Sequence, residues 1–176
     1  QFVGEYLRLN KISLNQVFVS SKWGYTYVAD FKVALPPGEQ HETKDHSTEN
    51  FLKQLKETEQ HLGEFLDLYQ IHSATLESRI LTDRRAHKAL ASCKKERGWK
   101  MGLSVSSPTQ DQVIREAMKI EVDGERLFSS VQCTWNLLEQ RPGPALQAAH
   151  DAGWDIVIKE GMANGRVLRN PIIIEY

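Results

Sequence analysis

A predicted helix, a glycine and a short apolar run follow one another three times along this sequence. The glycines are Gly63, Gly98 and Gly153, and the apolar runs after them are 65–71, 99–105 and 154–158. A glycine at the end of a helix can take the left-handed conformation that turns the chain back into a strand. Because each helix returns the chain to start the next strand in the same direction, the repeat predicts parallel strands in an α/β fold.

Five strands are predicted in all, and two architectures fit them. The strands end near Ser21, Ile71, Val105, Trp135 and Ile158. One architecture is an open doubly wound sheet, although the G-x-G-x-x-G fingerprint of dinucleotide-binding sheets is absent. The other is part of a (β/α)8 TIM barrel, because a complete barrel normally needs about 200 residues or more and the chain has 176. The pattern alone leaves this choice open, while the length predicts a single domain over residues 1–176.

The charge and the cysteine content exclude several classes of protein. The chain has 22 Lys and Arg residues against 23 Asp and Glu residues, so its net charge of −1 provides no general attraction to nucleic acid or anionic lipid. No apolar run reaches about 18 residues, the length of a membrane-spanning helix. Two cysteines do not make a disulfide framework, which predicts reduced thiols and a cytoplasmic location. The start at Gln1 predicts a partial chain, in which a targeting segment would not be visible.

Residues 24–45 form the longest predicted loop, with Pro36, Pro37 and Gly38 near its middle. The loop follows the first strand and precedes a helix that Ser47 or Thr48 can cap. Loops of this length are usually functional or mobile, and the alternative is an ordinary surface excursion. The sequence leaves both interpretations of this βα loop open.

Polar or ionisable residues stand at the carboxyl end of every predicted strand, where parallel α/β folds bind their ligands. They are Lys22, His72, Ser104 with Ser106 and Ser107, Gln132 with Trp135 and Asn136, and Lys159 with Glu160. A lysine here can stabilise a phenolate or hold an anion, and a histidine can donate a hydrogen bond to a substrate oxygen. Taken singly, each position is better explained as an ordinary surface or structural residue: Lys22 as a surface lysine and His72 as a structural histidine. Five strands that end this way together favour a site.

Metal binding and cysteine chemistry have little support in the sequence. His41 and His46 lie five residues apart in the charged loop, without further ligands at metal-site spacing. Cys93 and Cys133 lack the adjacent histidine pattern that indicates a thiolate nucleophile. Neither a G-x-S-x-G elbow nor a G-x-x-x-x-G-K-[ST] loop is present in the sequence. The sequence therefore predicts no metal site.

Four of the strand segments resemble those of the aldo/keto reductase family. V-F-V-S-S-K-W, which contains Lys22, is similar to the family's third strand, and D-L-Y-Q-I-H, which ends at His72, is similar to the fourth. G-L-S, which ends at Ser104, resembles the fifth strand, and V-Q-C-T-W-N, which contains Gln132, resembles the sixth. The match covers nearly the whole chain, and D-L-Y-Q-I-H is its most specific part.

The resemblance implies an NADP(H)-dependent reductase on a (β/α)8 barrel, which reduces a small aldehyde or ketone to an alcohol. In the family a tyrosine protonates the carbonyl oxygen, a lysine paired with an aspartate makes that tyrosine a better donor, and a histidine orients the carbonyl. Lys22 and His72 match the lysine and the histidine. A developing alkoxide needs a proton and fixed donors of this kind. The implied cofactor-binding residues are Ser104 and Gln132 for the carboxamide, Lys159, Glu160, Gly161 and Met162 at the seventh strand, and Arg166 for phosphate.

Departures from the family pattern limit what this chain can do alone. The tyrosine and the aspartate would precede residue 1, and Val105 stands where the family usually has an asparagine. Residues 159–162 replace an aromatic residue followed by Ser-Pro-Leu, and an eighth strand would follow residue 176 unless 172–174 is its remnant. The resemblance therefore predicts an interior fragment with little or no activity, whose exposed sheet edges favour aggregation.

Two other functions compete with the reductase. A non-catalytic barrel of the same family would bind the nicotinamide cofactor as a sensor or partner subunit, and the upstream tyrosine and aspartate distinguish the two. An unrelated barrel hydrolase or lyase would use Lys22 as a Schiff-base nucleophile. The physiological carbonyl, the choice between NADPH and NADH, and the oligomeric state are not encoded in any motif of the sequence.

Overall fold

The structure, a computed structural model, describes residues 2–30 and 32–169, with Arg169 described by its backbone alone. Its helices are α1 (Phe2–Leu9), α2 (Thr48–Leu62), α3 (Arg84–Arg97), α4 (Gln110–Ala117) and α5 (Gly143–Asp151). Its strands are β1 (Val19–Trp23), β2 (Tyr25–Tyr27), β3 (Glu42–Lys44), β4 (Leu66–Ile71), β5 (Lys100–Val105), β6 (Glu121–Val122), β7 (Glu125–Arg126), β8 (Ser130–Thr134) and β9 (Asp155–Lys159). Two short 3₁₀ helices, Ala163–Gly165 and Val167–Arg169, follow β9.

Five strands form one parallel sheet in the order β1-β4-β5-β8-β9, which is also their order along the chain. In a doubly wound sheet the strand order reverses at a switch point. Here every crossover places the next strand on the same side of the preceding one, which is the connectivity of a (β/α)8 barrel. The structure therefore decides the choice that the sequence pattern left open, in favour of an incomplete barrel.

The register gives this sheet two chemically different faces. One row across it consists of Trp23, Ile71, Leu103, Val131 and Ile156, and the next row consists of Lys22, Gln70, Gly102, Ser130 and Asp155. The first row faces the helices, since Trp23 packs against Phe51 of α2 with ring centroids 5.0 Å apart, and it forms one hydrophobic core with residues of α2, α3, α4 and α5. Because successive side chains of a strand point to opposite faces, the polar row lies on the other face, which is the barrel interior.

The glycines that follow three of the helices differ in conformation. Gly98 and Gly153 have φ angles of 72° and 85°, which confirms the left-handed conformation predicted there. The same prediction is wrong for Gly63, whose φ of −51° is right-handed. The N–H of Gly63 donates to the carbonyl of Glu59 at 3.1 Å. The chain therefore continues the helical turn at Gly63 and needs no left-handed residue at that position.

Two antiparallel hairpins interrupt the repeat, and the sequence analysis identified neither. β2 pairs with β3 inside the predicted loop at residues 24–45, and β6 pairs with β7 between α4 and β8. The turn of the second hairpin is Asp123-Gly124, with φ angles of 53° and 82°. Asp-Gly is a common signal for such a turn, so this hairpin was readable from the sequence. The first hairpin has no comparable signal because residues 28–41 separate its strands.

Three further sequence predictions concern the end of the chain, membranes and thiols. The remnant strand proposed at residues 172–174 lies outside the described residues. Within residues 2–30 and 32–169, no helix is long and apolar enough to cross a membrane. Cys93 and Cys133 are free and buried, and burial raises the pKa of the Cys93 thiol to about 11 and that of Cys133 to about 12. Both thiols are therefore protonated near neutral pH.

Candidate functional site

Five strand ends bring the candidate side chains to one end of the barrel interior. The register pairs Ser104 with Gln132, and Lys22 lies in the polar interior row. By the alternation of side chains along β4 and β9, His72 and Lys159 belong to the same face. The structure therefore places these five residues, which the sequence analysis selected one strand at a time, around a shared rim.

Lys22 and Lys159 lie on the two edge strands of the sheet, β1 and β9. In a flat sheet four strand spacings would separate the two positions by about 19 Å. Burial is the main reason why the pKa of Lys22 is lowered, and the charge of Lys159 is the second. The sheet is therefore curved enough for both ammonium groups to face one space, as the interior of a barrel requires.

His72 is half-buried, and its backbone is held from two sides. Its N–H donates to the carbonyl of Trp23 at 2.8 Å, and its own carbonyl accepts from Nε2 of His46 at 2.9 Å. Burial, followed by the charges of Lys22 and two further lysines, lowers the pKa of His72 although Glu42 acts to raise it. The imidazole is therefore neutral near pH 7 and keeps one N–H that can donate to a substrate oxygen.

The hairpin formed by β2 and β3 is a wall beside His72. The ring of Tyr25 lies with its centroid 4.7 Å from that of the imidazole, and Nζ of Lys44 lies 6.0 Å from the Tyr25 centroid. Gln54 of α2 holds the start of the hairpin, since its Oε1 accepts from the N–H of Gly24 at 2.8 Å and its Nε2 donates to the carbonyl of Tyr25 at 2.7 Å. The hairpin is thus attached both to the helix layer and to the rim.

Sequence reasoning missed these hairpin contacts. His41 and His46, which the sequence analysis considered as a metal pair, are used differently: His41 stacks on Tyr27 with centroids 6.5 Å apart, whereas His46 bonds to the carbonyl of His72. The part of the chain that the structure describes contains no group of three His, Cys, Asp or Glu side chains that could hold a metal ion. Positions 42, 44 and 46, in β3 and just after it, all act on His72. Their spacing of two residues was the sequence signal that could have indicated these contacts.

Ser104 and Gln132 lie side by side on adjacent strands. Ser104 is buried, and its Oγ accepts from the N–H of Ser73 at 2.9 Å, which leaves the hydroxyl hydrogen able to donate elsewhere. Gln132 is half-buried, and among the described residues its amide forms no hydrogen bond. Val105 is fully buried on the helix side of β5 and presents no polar group to the rim.

The first residue after β9 is held firmly against the neighbouring strand. Glu160 has a φ of 56°, and its carbonyl accepts from Nδ2 of Asn136 at 2.9 Å. One of its carboxylate oxygens accepts from Oγ1 of Thr134 at 3.3 Å and lies 4.0 Å from Nζ of Lys159. Lys159 and Glu160 therefore form an adjacent pair of opposite charge at the rim.

The other predicted cofactor residues form the turn that follows. Gly161 and Met162 are exposed, and Nε of Arg166 donates to the carbonyl of Ala163 at 3.1 Å. A cavity of about 280 Å³ lies between this turn and the loops after β5 and β8. Its lining includes Ser106, Ser107, Asn136, Arg141, Glu160 and Arg166. Two guanidinium groups, two carboxylates and several hydroxyl and amide groups thus surround one space, and the guanidinium of Arg141 is paired with Glu139.

Comparison with known proteins identifies the fold. No protein-family model and no curated protein sequence matches the chain. The protein PA4992 from Pseudomonas aeruginosa, named as an aldo-keto reductase, matches with a TM-score of 0.64 and 21% identity over 89% of this chain and 54% of its own. A second structure from the same organism, also named as an aldo-keto reductase, matches with a TM-score of 0.65 and 20% identity over 89% of this chain and 53% of its own. The glycerol dehydrogenase AKR11B4 from Gluconobacter oxydans matches with a TM-score of 0.61 and 21% identity over 93% and 45%. The chain has the fold of part of an aldo-keto reductase barrel.

The chain spans about half the length of these solved structures. At 20–21% identity the likeness establishes the aldo-keto reductase fold and leaves the activity to be argued from the residues. In a barrel of this kind the active site lies at the carboxyl ends of the strands. Lys22 and His72 lie at those ends, on the interior face.

The buried imidazole of His46 predicts a pH dependence of stability. Burial is the main cause that lowers its pKa to about 4, whereas a histidine in an unfolded chain titrates near 6.5. The unfolded state therefore binds the proton more tightly, so the free energy of unfolding should fall as the pH falls from about 6.5 to about 4, by about 3 kcal/mol at most.

The variant His46→Gln tests this assignment because it removes the titrating ring and keeps a side-chain N–H donor. Urea unfolding of the full-length protein should be measured at about pH 7 and about pH 4.5, on either side of most of the transition. The wild-type protein should lose more stability between these two conditions than the variant. An equal loss in both proteins would show that His46 does not carry the effect.

Proposed function

We propose that this chain is the part of an aldo/keto reductase that carries its catalytic lysine and histidine, and that the whole protein reduces an aldehyde or ketone with NADP(H). The observation that carries the proposal is that Lys22 and His72 share the interior rim of the barrel. The charge of Lys22 acts on the imidazole, since it lowers the pKa of His72. The D-L-Y-Q-I-H resemblance at His72 and the match to solved aldo-keto reductases support the same proposal.

In the proposed reaction His72 orients the substrate carbonyl. Its neutral imidazole donates one hydrogen bond to the carbonyl oxygen, where negative charge develops as hydride arrives at carbon. The ammonium of Lys22 favours the ionised form of a nearby phenol, which makes that phenol a better proton donor. The resemblance assigns this phenol to a tyrosine that would precede residue 1. Tyr25, although its ring lies beside His72, does not match that tyrosine.

The rim residues suit a nicotinamide cofactor in two respects. The amide of Gln132, which has no partner among the described residues, and the hydroxyl of Ser104 stand side by side and match the donors and acceptors of a carboxamide. Arg166 has guanidinium N–H groups left for a phosphate beside the exposed turn of Gly161 and Met162. Bound there, the cofactor would supply the hydride. Lys159 and Glu160 would border the bound cofactor. The cytoplasmic location of the protein stays a prediction.

The experiment is a turnover assay on the full-length protein and on the chain 1–176. We expect the full-length protein to oxidise NADPH only when an aldehyde or ketone from a test panel is added. We expect the chain alone to show little or no such oxidation. NADPH binding without oxidation on any carbonyl of the panel would overturn the enzyme and favour the cofactor-binding sensor.

A further inference from the structure

His46 is buried at the end of the hairpin and is directly bonded to the main chain of His72. The residue is 8% exposed, and its Nε2 lies 2.9 Å from the His72 carbonyl oxygen. Its ring lies at a steep angle to that of Trp23, with centroids 5.7 Å apart. The backbone carbonyl of Trp23 accepts from the N–H of His72 at 2.8 Å. The two residues therefore hold both backbone groups of His72.

The hydrogen bonds decide the protonation state of His46. A carbonyl oxygen only accepts, so Nε2 must carry the hydrogen. Nδ1 is buried and has no hydrogen-bond partner in the described part of the chain, so a proton there would be a buried donor without an acceptor. The lowered pKa of the ring supports this neutral tautomer. His46 is thus a fixed donor toward the rim.

Gly24 shows that the hairpin is shaped around this imidazole. A Cβ at Gly24 would lie 2.5 Å from Cδ2 and 2.6 Å from Nε2 of His46, and the φ of Gly24 is +113°. A side chain at this position would therefore push the ring away from the His72 carbonyl and would strain the backbone as well. The N–H of Gly24 is itself held by Gln54.

We infer that His46 is a positioning residue for His72. By its hydrogen bond to the His72 carbonyl, His46 sets the place of the His72 imidazole at the rim. This inference rests on the proposed function, in which His72 orients the substrate carbonyl. A displacement of about 1 Å in such a group can cost about 100-fold in rate. The hairpin is then a working part of the reductase, although it lies outside the strand–helix repeat.

The test compares three variants of the full-length protein with a matched control. His46→Leu removes the donor, His46→Gln keeps an N–H donor, and Gly24→Ala displaces the ring. The control is His87→Leu, because His87 is 6% exposed and its Nε2 likewise bonds to a backbone carbonyl, that of Ile80 at 2.6 Å, away from the rim. Equilibrium unfolding would show that the control loses comparable stability.

We expect His46→Leu and Gly24→Ala to lower kcat by about 10- to 100-fold while the Kd for NADPH stays unchanged. His46→Gln should recover most of the loss, and His87→Leu should keep the wild-type kcat. A wild-type kcat in His46→Leu, or an equal loss of kcat in His87→Leu, would overturn the inference. If His46→Leu does not fold, Gly24→Ala decides the question, and a wild-type kcat in that variant would overturn the inference.

A spectroscopic readout separates this inference from the proposed function. The ring resonance of His72 in an NMR spectrum of histidine-labelled protein should shift in His46→Leu and not in His87→Leu. If the wild-type protein shows no carbonyl-dependent NADPH oxidation, the proposed function fails, and this shift still tests whether His46 positions His72. An unmoved His72 resonance in His46→Leu would overturn the positioning role whatever the activity.

Discussion

Replacing Lys22 with methionine in the full-length protein should lower kcat by about 10²- to 10⁴-fold, the usual contribution of a group that assists proton transfer. Methionine keeps nearly the length of the side chain and removes the ammonium, which in the proposed function favours the ionised form of a phenol. The cofactor contacts proposed for Ser104, Gln132 and Arg166 are left in place, so the Kd for NADPH should change little. Steady-state kinetics together with cofactor titration measure both quantities.

Lys100→Met is the matched control for this prediction. Lys100 stands at the amino end of β5, and its Nζ forms an ion pair with Asp155 at 2.5 Å. Both side chains are about half exposed, so the loss of this ion pair should cost at most about 1 kcal/mol, and the active end of a barrel is the opposite one. The variant should therefore keep the wild-type kcat. A wild-type kcat in Lys22→Met, or an equal loss in Lys100→Met, would refute the role of Lys22.

The largest loss of stability is expected for Phe51→Ala, at about 3–5 kcal/mol. Phe51 is fully buried in α2, with its ring centroid 5.0 Å from that of Trp23 and 6.2 Å from that of Tyr69. These aromatic residues belong to β1 and β4, the strands that end at the proposed catalytic residues. Removal of the ring leaves a cavity between the helix and both strands, which urea unfolding of the full-length protein would detect as a lower midpoint.

Leu52→Ala provides the neighbouring control because Leu52 is 46% exposed on the same helix. Alanine is at least as good a helix former as leucine, so the change should lie within about 0.5 kcal/mol of the wild type. Similar losses for both variants would mean that the ring cluster around Phe51 does not hold α2 on the sheet.

The local pattern of the sequence determined the parallel strands, the left-handed glycines after α3 and α5, and the polar strand ends. These features depend on residues close together in the chain: a helix ends where a glycine permits it, and a strand ends where its apolar run stops. Lys22 and His72 were found in this way, one strand at a time. The Asp-Gly turn of β6 and β7 was equally local, and it was overlooked.

Tertiary structure alone decided how those pieces meet. The barrel connectivity follows from strand order, and the approach of Lys159 to Lys22 follows from the curvature of the sheet, neither of which a local pattern encodes. The contact of His46 with His72 joins residues 26 positions apart, with α2 and β4 between them in the chain. Such a contact is selected by the packing of whole elements, because many loop conformations are compatible with the same residues until the helix and the sheet enclose them.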